Sequence, residues 1–364
     1  MRRISFPAGR AGRWVAALAA AGVVAAGMAA ARSPGPPLES LWYLAGDGAE
    51  AFVRNAGAVT IVAPMAYEVD SAGTLRGRVD ARVVRAARRA GVRVMPVVRQ
   101  PEFDQAQLAR LLRDPAGRAR AAASLARACR DGGYWGIQVD FENVRVQDGP
   151  LLTAFYRQIA GALRGAGCRA AIAVVPRVSD APGESAYQYW MFGHWRGAYD
   201  YGALAAAGDF IVLMSYDQHT RHTPPGPVAA LPWVRATLDF ALADGAPPEK
   251  ILLGVPAYSR HWRAAYTGGG TADAGSAGLG YGAAAALAKR NGARLQWDAD
   301  HKVYHARYDR ETALEYLYVE NARTFGHKLD LVRERGLRGF AVWRLGQEDP
   351  EVWDRVRRLP LRRE

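Results

Sequence analysis

The segment Gly136-Ile137-Gln138-Val139-Asp140-Phe141-Glu142-Asn143 carries the most chemistry in the chain. Read as a strand, its alternate side chains share a face. Gln138, Asp140 and Glu142 then point one way, and Ile137, Val139 and Phe141 the other. Three polar groups on the inner face of a buried strand are costly unless they are paired or used. Two carboxylates this close raise each other's pKa, which keeps one of them protonated as a general acid. The competing reading is a buried structural pair bonded to backbone or arginine.

A strand of this kind needs a scaffold to hold it. From Leu41 onward, short apolar runs alternate with helix-like segments. The runs are Leu41–Ala45, Val59–Ala63, Val92–Val98, Gly136–Phe141, Ala170–Val175, Phe210–Ser215, Ile251–Val255 and Gly339–Trp343. Several are nearly continuous in Val, Ile, Leu and Ala, as strands buried on both faces should be. Between them, Leu152, Phe155, Ile159 and Leu163 have helical spacing. Ala106–Arg130 does too, and Asp114-Pro115 divides it into two helices, with Asp114 as cap and Pro115 at the first helical position. Eight strand–helix alternations predict an α/β fold, a (β/α)8 TIM barrel. An open doubly wound sheet is disfavoured because Leu41–Asp47 lacks the Gly-rich phosphate loop. Glu142 falls at the C-terminal end of its strand, where barrel active sites sit. Roughly 80 residues separate the seventh and eighth runs, against the dozen or more that a crossover needs. A small α+β insertion, about 258–320, is therefore expected between strands 7 and 8, as a wall beside the barrel mouth. Its Thr267–Gly282 stretch is rich in Gly and Ala, and its Leu295–Arg307 stretch is strand-like.

With these residues in view, the chain resembles glycoside hydrolase family 18. Asp140-Phe141-Glu142-Asn143-Val144 is similar to the family's catalytic strand, D-x-x-D-x-D-x-E. The germination-type members, the spore-cortex-lytic N-acetylglucosaminidases, are the nearest in pattern. They share Gly133-Tyr134, Val212-Leu213-Met214-Ser215-Tyr216-Asp217, Pro225-Gly226-Pro227-Val228 and Leu231-Pro232-Trp233-Val234. They also share Gly254-Val255-Pro256-Ala257-Tyr258 and Gly339-Phe340-Ala341-Val342-Trp343-Arg344-Leu345-Gly346. Any one of these is weak, but in this order they form a specific signal from about Leu41 to Trp353. The resemblance implies hydrolysis of β-linked N-acetylglucosamine glycans without a protein nucleophile, so the usual two-carboxylate spacing rule does not apply. The partner it implies is an N-acetylglucosamine-containing polysaccharide, with peptidoglycan preferred and chitin oligomers second.

By the same resemblance, Glu142 matches the general acid, and Asp140 the group that orients the substrate's 2-acetamido group. Tyr216 matches the phenol bonded to the acetamido oxygen. Asp217 and Met214 match neighbours in that subsite, and Trp343 its aromatic floor. Tyr258 and Tyr67 stand at strand ends where the family places subsite aromatics. The pattern is not complete here. Trp135 and Gln138 replace the first two aspartates, and Gln138 can donate a hydrogen bond to Asp140 but cannot ionise. A catalytically silent glycan-binding protein on the same scaffold is the alternative, and the intact Glu142 argues against it.

Composition narrows the remaining possibilities. With 364 residues, 50% hydrophobic and 23% charged, the chain is neither disordered nor a disulfide-stapled mini-domain. Its formal charge is +13, and all its cations are arginine except Lys250, Lys289, Lys302 and Lys328. They are dispersed, with no nucleic-acid-binding signature, so no nucleic-acid partner is expected. No cofactor is expected either. His219 and His222 read as loop or substrate-contact residues, and no metal is assigned. Met1–Ala31 has a basic start with Arg2, Arg3, Arg10 and Arg13, an uncharged apolar stretch and a small-residue exit. This reads as a cleaved export signal or a retained N-terminal anchor, followed by a linker over 32–39. The folded part, 40–364, is expected outside the cytoplasm, with membrane contact only if the N-terminal segment is retained. Its oligomeric state is open. Export permits a disulfide, and Cys129 and Cys168 are the only cysteines. One bond or two buried thiols are both compatible with the sequence.

Overall fold

The computed structural model describes residues 36–265, 275–310 and 313–363. The N-terminal segment 1–31, the first residues of the linker and the first half of the Gly/Ala-rich stretch, 267–274, lie outside the described residues. Eight parallel strands follow one another round a closed ring: β1 (Glu39–Leu44), β2 (Ile61–Val69), β3 (Arg93–Val94 and Val97–Arg99), β4 (Gly136–Val139), β5 (Arg169–Val174), β6 (Phe210–Leu213), β7 (Ile251–Pro256) and β8 (Gly339–Trp343). β8 pairs with β7, and β1 pairs with both β8 and β2, which closes the barrel and leaves no edge. This is the (β/α)8 barrel that the alternating runs predict.

The strand interiors are buried on both faces, which accounts for their unbroken apolar composition. β3 is interrupted at Met95-Pro96, because proline has no N–H to give the ladder. β2 runs past the barrel rim and pairs there with the antiparallel strand Leu75–Gly77. Helices pack outside the ring. Asp114 divides helix Gln105–Arg113 from helix Pro115–Gly132, and its carboxylate caps the second by accepting from Ala116 N–H. Helix Gly149–Gly165 buries Leu152, Phe155, Ile159 and Leu163. Cys129 and Cys168 are joined in a disulfide.

The barrel's N-terminal end is closed by charge and stacking. Glu39, read in sequence as the end of the linker, is the first residue of β1, and its buried carboxylate holds Arg93 at 3.1 Å and Arg338 at 2.6 Å. The Arg93 guanidinium lies over Trp135, and Trp135 stacks against Phe210. Trp135 therefore plugs the end of the barrel opposite Glu142.

Between β7 and β8 lies an antiparallel sheet of five strands. Their order is Gly275–Gly280, Tyr258–Ala265, Ala313–Val319, Val303–Arg310, Gln296–Asp298. Helix Tyr281–Arg290 packs on it through Ala284, Leu287 and Ala288, against Ala306, Leu317 and Val319. The strand-like stretch 295–307 is a hairpin of this sheet.

Candidate active site

β4 ends at Val139, so Asp140 and Glu142 stand on the turn that leaves the C-terminal end of the barrel. That turn is held by its carbonyls. Tyr199 Oη donates to the carbonyl of Phe141 at 2.7 Å, and Gln100 Nε2 donates to the carbonyl of Glu142. Gln105 Nε2 donates to the carbonyl of Asn143 at 3.1 Å, while Asn143 Nδ2 donates to the carbonyl of Phe103. Asn143 has φ 53°, a left-handed conformation that asparagine tolerates better than most residues. Two stretches of chain, residues 100–105 and Tyr199, thus hold the turn that carries Glu142.

Burial sets the electrostatics. Asp140 is 5% exposed. Loss of water pushes its pKa up to about 7, and the Arg99 guanidinium opposes that rise. Glu142 lies well above the ordinary carboxylate range, first from burial and then from the nearby charges of Asp140 and Asp217, with Arg99 again opposing. The sequence assigned these shifts to mutual repulsion, but desolvation is the larger cause. A raised pKa favours the protonated form of Glu142, the form a general acid needs. Gln138 does not donate to Asp140 as expected, since neither end of its buried amide has a hydrogen-bond partner. Residues two apart on a strand are separated by about 6–7 Å of rise, and Gln138 lies beneath Asp140 rather than beside it. It approaches the Tyr43 phenol instead.

Two cavities meet at Glu142. One, of about 540 Å³, contains Asp140, Tyr43, Tyr67, Arg99 and Trp343. The other, of about 320 Å³, contains Tyr187, Trp190, Trp195, Arg196, Arg221 and Arg260. Glu142, Met214, Tyr216 and Asp217 line both. Glu142 therefore stands on the wall between the two cavities.

The structure brings Asp140, Glu142, Met214, Tyr216, Asp217, Trp343 and Tyr67 to this groove. Tyr43 and Trp343 pack with ring centroids 5.3 Å apart. Tyr216 is buried and its pKa is raised well above 10, so its hydroxyl stays a donor. Room for it comes from Gly254 on β7. A Cβ there would meet the Leu213 carbonyl at 2.5 Å and the Tyr216 ring at 2.9 Å. Two sequence candidates stand one layer back. Gln138 and Tyr258 line neither cavity, and Tyr258 Oη donates to Asp217. Asp217, in a left-handed conformation, also receives Arg260 at 2.6 Å. His219 Nδ1 is turned to the carbonyl of Pro224.

Several site residues escaped the sequence reading. Tyr43 lies in a strand read only as an apolar run, and Arg99 stands one residue past the run Val92–Val98. Arg260 comes from the insertion's first strand. The segment Tyr187-Gln188-Tyr189-Trp190-Met191-Phe192-Gly193-His194-Trp195 did leave a signal, since its density of aromatics outside any strand is unusual.

The sequence profile of glycosyl hydrolases family 18 matches residues 67–348, most of the chain. This chain belongs to glycosyl hydrolases family 18. Among family 18 relatives, it is similar to a cortical fragment-lytic enzyme of Bacillus subtilis, 31% identical over 244 residues, covering 67% of this chain and 54% of that protein. It therefore spans about half the length of the curated relatives it matches. Among solved structures it is similar to the Bacillus cereus spore cortex-lytic enzyme SleL, with a TM-score of 0.79 and 23% identity over 90% of this chain and 76% of that one, a likeness of fold. It is also similar to a chitinase from Chromobacterium violaceum, with a TM-score of 0.76 and 27% identity over 88% of this chain and 98% of that one.

Proposed function

We propose that this chain hydrolyses β-linked N-acetylglucosamine glycans with retention of configuration, peptidoglycan being its preferred substrate and chitin oligomers its second. The observation that carries this is the position of Glu142 between two cavities, one of which holds Asp140, Tyr216 and Trp343. Trp343 offers an apolar ring face of the kind on which sugar C–H faces pack. Tyr216 donates to the acetamido oxygen, and Asp140 faces the acetamido nitrogen. The acetamido oxygen attacks the anomeric carbon as the Glu142 proton passes to the glycosidic oxygen and the C–O bond breaks. The result is a cyclic oxazolinium ion, whose positive charge Asp140 stabilises. Water then opens the ring from the side the leaving sugar vacated, and the Glu142 carboxylate takes the water's proton.

Export is part of the same proposal. The basic-then-apolar segment Met1–Ala31 is what a secretory leader or anchor looks like. The disulfide between Cys129 and Cys168 suits an oxidising compartment.

The test is to assay the protein beside its Glu142→Gln variant on N-acetylglucosamine oligomers and on peptidoglycan. Loss of the general acid should lower kcat by about 10²–10⁴-fold. Equal release by both proteins would sink the mechanism. Binding without turnover in the unaltered protein would favour a silent glycan-binding role.

A further inference from the structure

The two ends of the groove differ in how their cations are matched. On the Trp343 side, Arg99 holds Glu68 at 2.7 Å and Arg76 lies 3.6 Å from Asp70. On the far side of Glu142, Arg260 holds Asp217. Arg196 is different. Its Nε is buried with no hydrogen-bond partner, and among the described residues it holds no carboxylate in an ion pair. Beside it, Trp195 Nε1 is also buried without a partner. Arg221 stands exposed at the rim, its Nε turned to His222 rather than to an acid.

The segment that carries these groups is built for position. Ser185 and Gln188 form a reciprocal cap that starts helix Ala186–Met191, which continues as a π turn over Phe192–Arg196. Such turns re-aim side chains and are frequent at functional sites. Here the turn delivers Trp195 and Arg196 to the cavity wall, next to the half-exposed Trp190. Arg196 is half-buried, and a guanidinium partly withdrawn from water without an anion is costly. Placed beside a sugar-sized aromatic platform, it is a receptor for a carboxylate.

We propose that this end of the groove holds the leaving sugar, and that Arg196, with Trp195 beside it and Arg221 at the rim, selects an aminosugar whose substituent bears a carboxylate. This rests on the reading above, which puts the acetamido sugar on the Asp140 and Trp343 side. Two sources supply that chemistry in peptidoglycan. One is the lactyl carboxyl of muramic acid, free only after an amide hydrolysis has removed its peptide. The other is the carboxylates of an attached stem peptide.

The experiment compares kcat/KM on four substrates: neutral N-acetylglucosamine oligomers, peptide-free glycan strands, the same strands with the carboxyl reduced to an alcohol, and peptide-bearing strands. The protein should prefer acidic over carboxyl-reduced strands by about 10–100-fold. A preference for peptide-free strands identifies the lactyl carboxyl, and a preference for peptide-bearing strands the stem peptide. Arg196→Gln should bring the ratio of acidic to reduced strands towards one, and Arg196→Lys should recover part of it. Arg221→Gln, at an exposed position, should lower the ratio by less. Equal rates of the unaltered protein on acidic and reduced strands, with the neutral oligomers cleaved, overturn this inference and leave the proposed function standing. Cleavage of none of the four overturns both.

Discussion

Asp140 is where function and stability conflict most directly. Its folded pKa lies near 7, above that of an unfolded aspartate. The folded state therefore holds the proton more tightly, so this residue's contribution to stability falls as pH rises from about 4 to about 7. Asp140→Asn should raise the unfolding midpoint at pH 8, by roughly 2–5 °C in thermal melts, while lowering turnover. The same variant removes a negative charge that raises the Glu142 pKa. The alkaline limb of its residual pH–rate profile should move to lower pH. A limb that stays in place would mean that the two carboxylates do not communicate. The apparent values read from such profiles belong to the pair. This pair was legible because the apolar run from Gly136 leads straight into it, although the strand ends at Val139 and both carboxylates stand on the turn beyond, lining one cavity. What alternation could not give was the cause of the shifts, since desolvation depends on walls from other strands. Arg196 was illegible for the same reason: an arginine shows that it lacks a partner only once its neighbours are known.

The side chains of the proposed site are aimed by the elements around them. Gly254 on β7 gives the Tyr216 ring its space, and the Ser215 hydroxyl donates to the Gly254 carbonyl at 2.7 Å. Gly254→Ala should displace Tyr216 and cut kcat/KM by about tenfold or more, with circular dichroism still that of the folded protein. Full activity in that variant would show that Tyr216 need not be held there. The eight strands and the split at Asp114-Pro115 could be read directly, because burial on both faces and a capped proline start leave local signatures. The antiparallel extension of β2 and most strands of the insertion could not. Leu75–Gly77 is a three-residue strand, and Gly275–Gly280 has no apolar alternation to reveal it. Their pairing is decided by the partner strand rather than by their own composition.

At the scale of the molecule, one covalent tie joins the ends of two barrel helices. Cys129 lies in helix Pro115–Gly132 and Cys168 follows helix Gly149–Gly165, 39 residues apart in sequence. Closing a loop of that length contributes about 2–4 kcal/mol. Replacing both cysteines by serine should lower the unfolding midpoint by roughly 3–6 °C. Both residues line neither cavity, so activity below that midpoint should persist. Loss of activity without loss of stability would contradict this structural role. The formal charge of +13 belongs to this scale as well. Four of those charges, Arg2, Arg3, Arg10 and Arg13, belong to the segment 1–31, so residues after Ala31 carry 13 − 4 = +9. Spread over the barrel, that charge should favour encounter with anionic polymers, and added salt should weaken that encounter more than it weakens action on neutral oligomers.

The central claim is that the substrate's own acetamido group attacks while Glu142 supplies the proton. It is tested most directly by following the anomeric protons by NMR as the protein hydrolyses an N-acetylglucosamine oligomer. Two displacements at one carbon return the original configuration, so the β-anomer should appear first and convert to α only by slow mutarotation. The α-anomer appearing first would mean a single displacement by water, and would contradict the account.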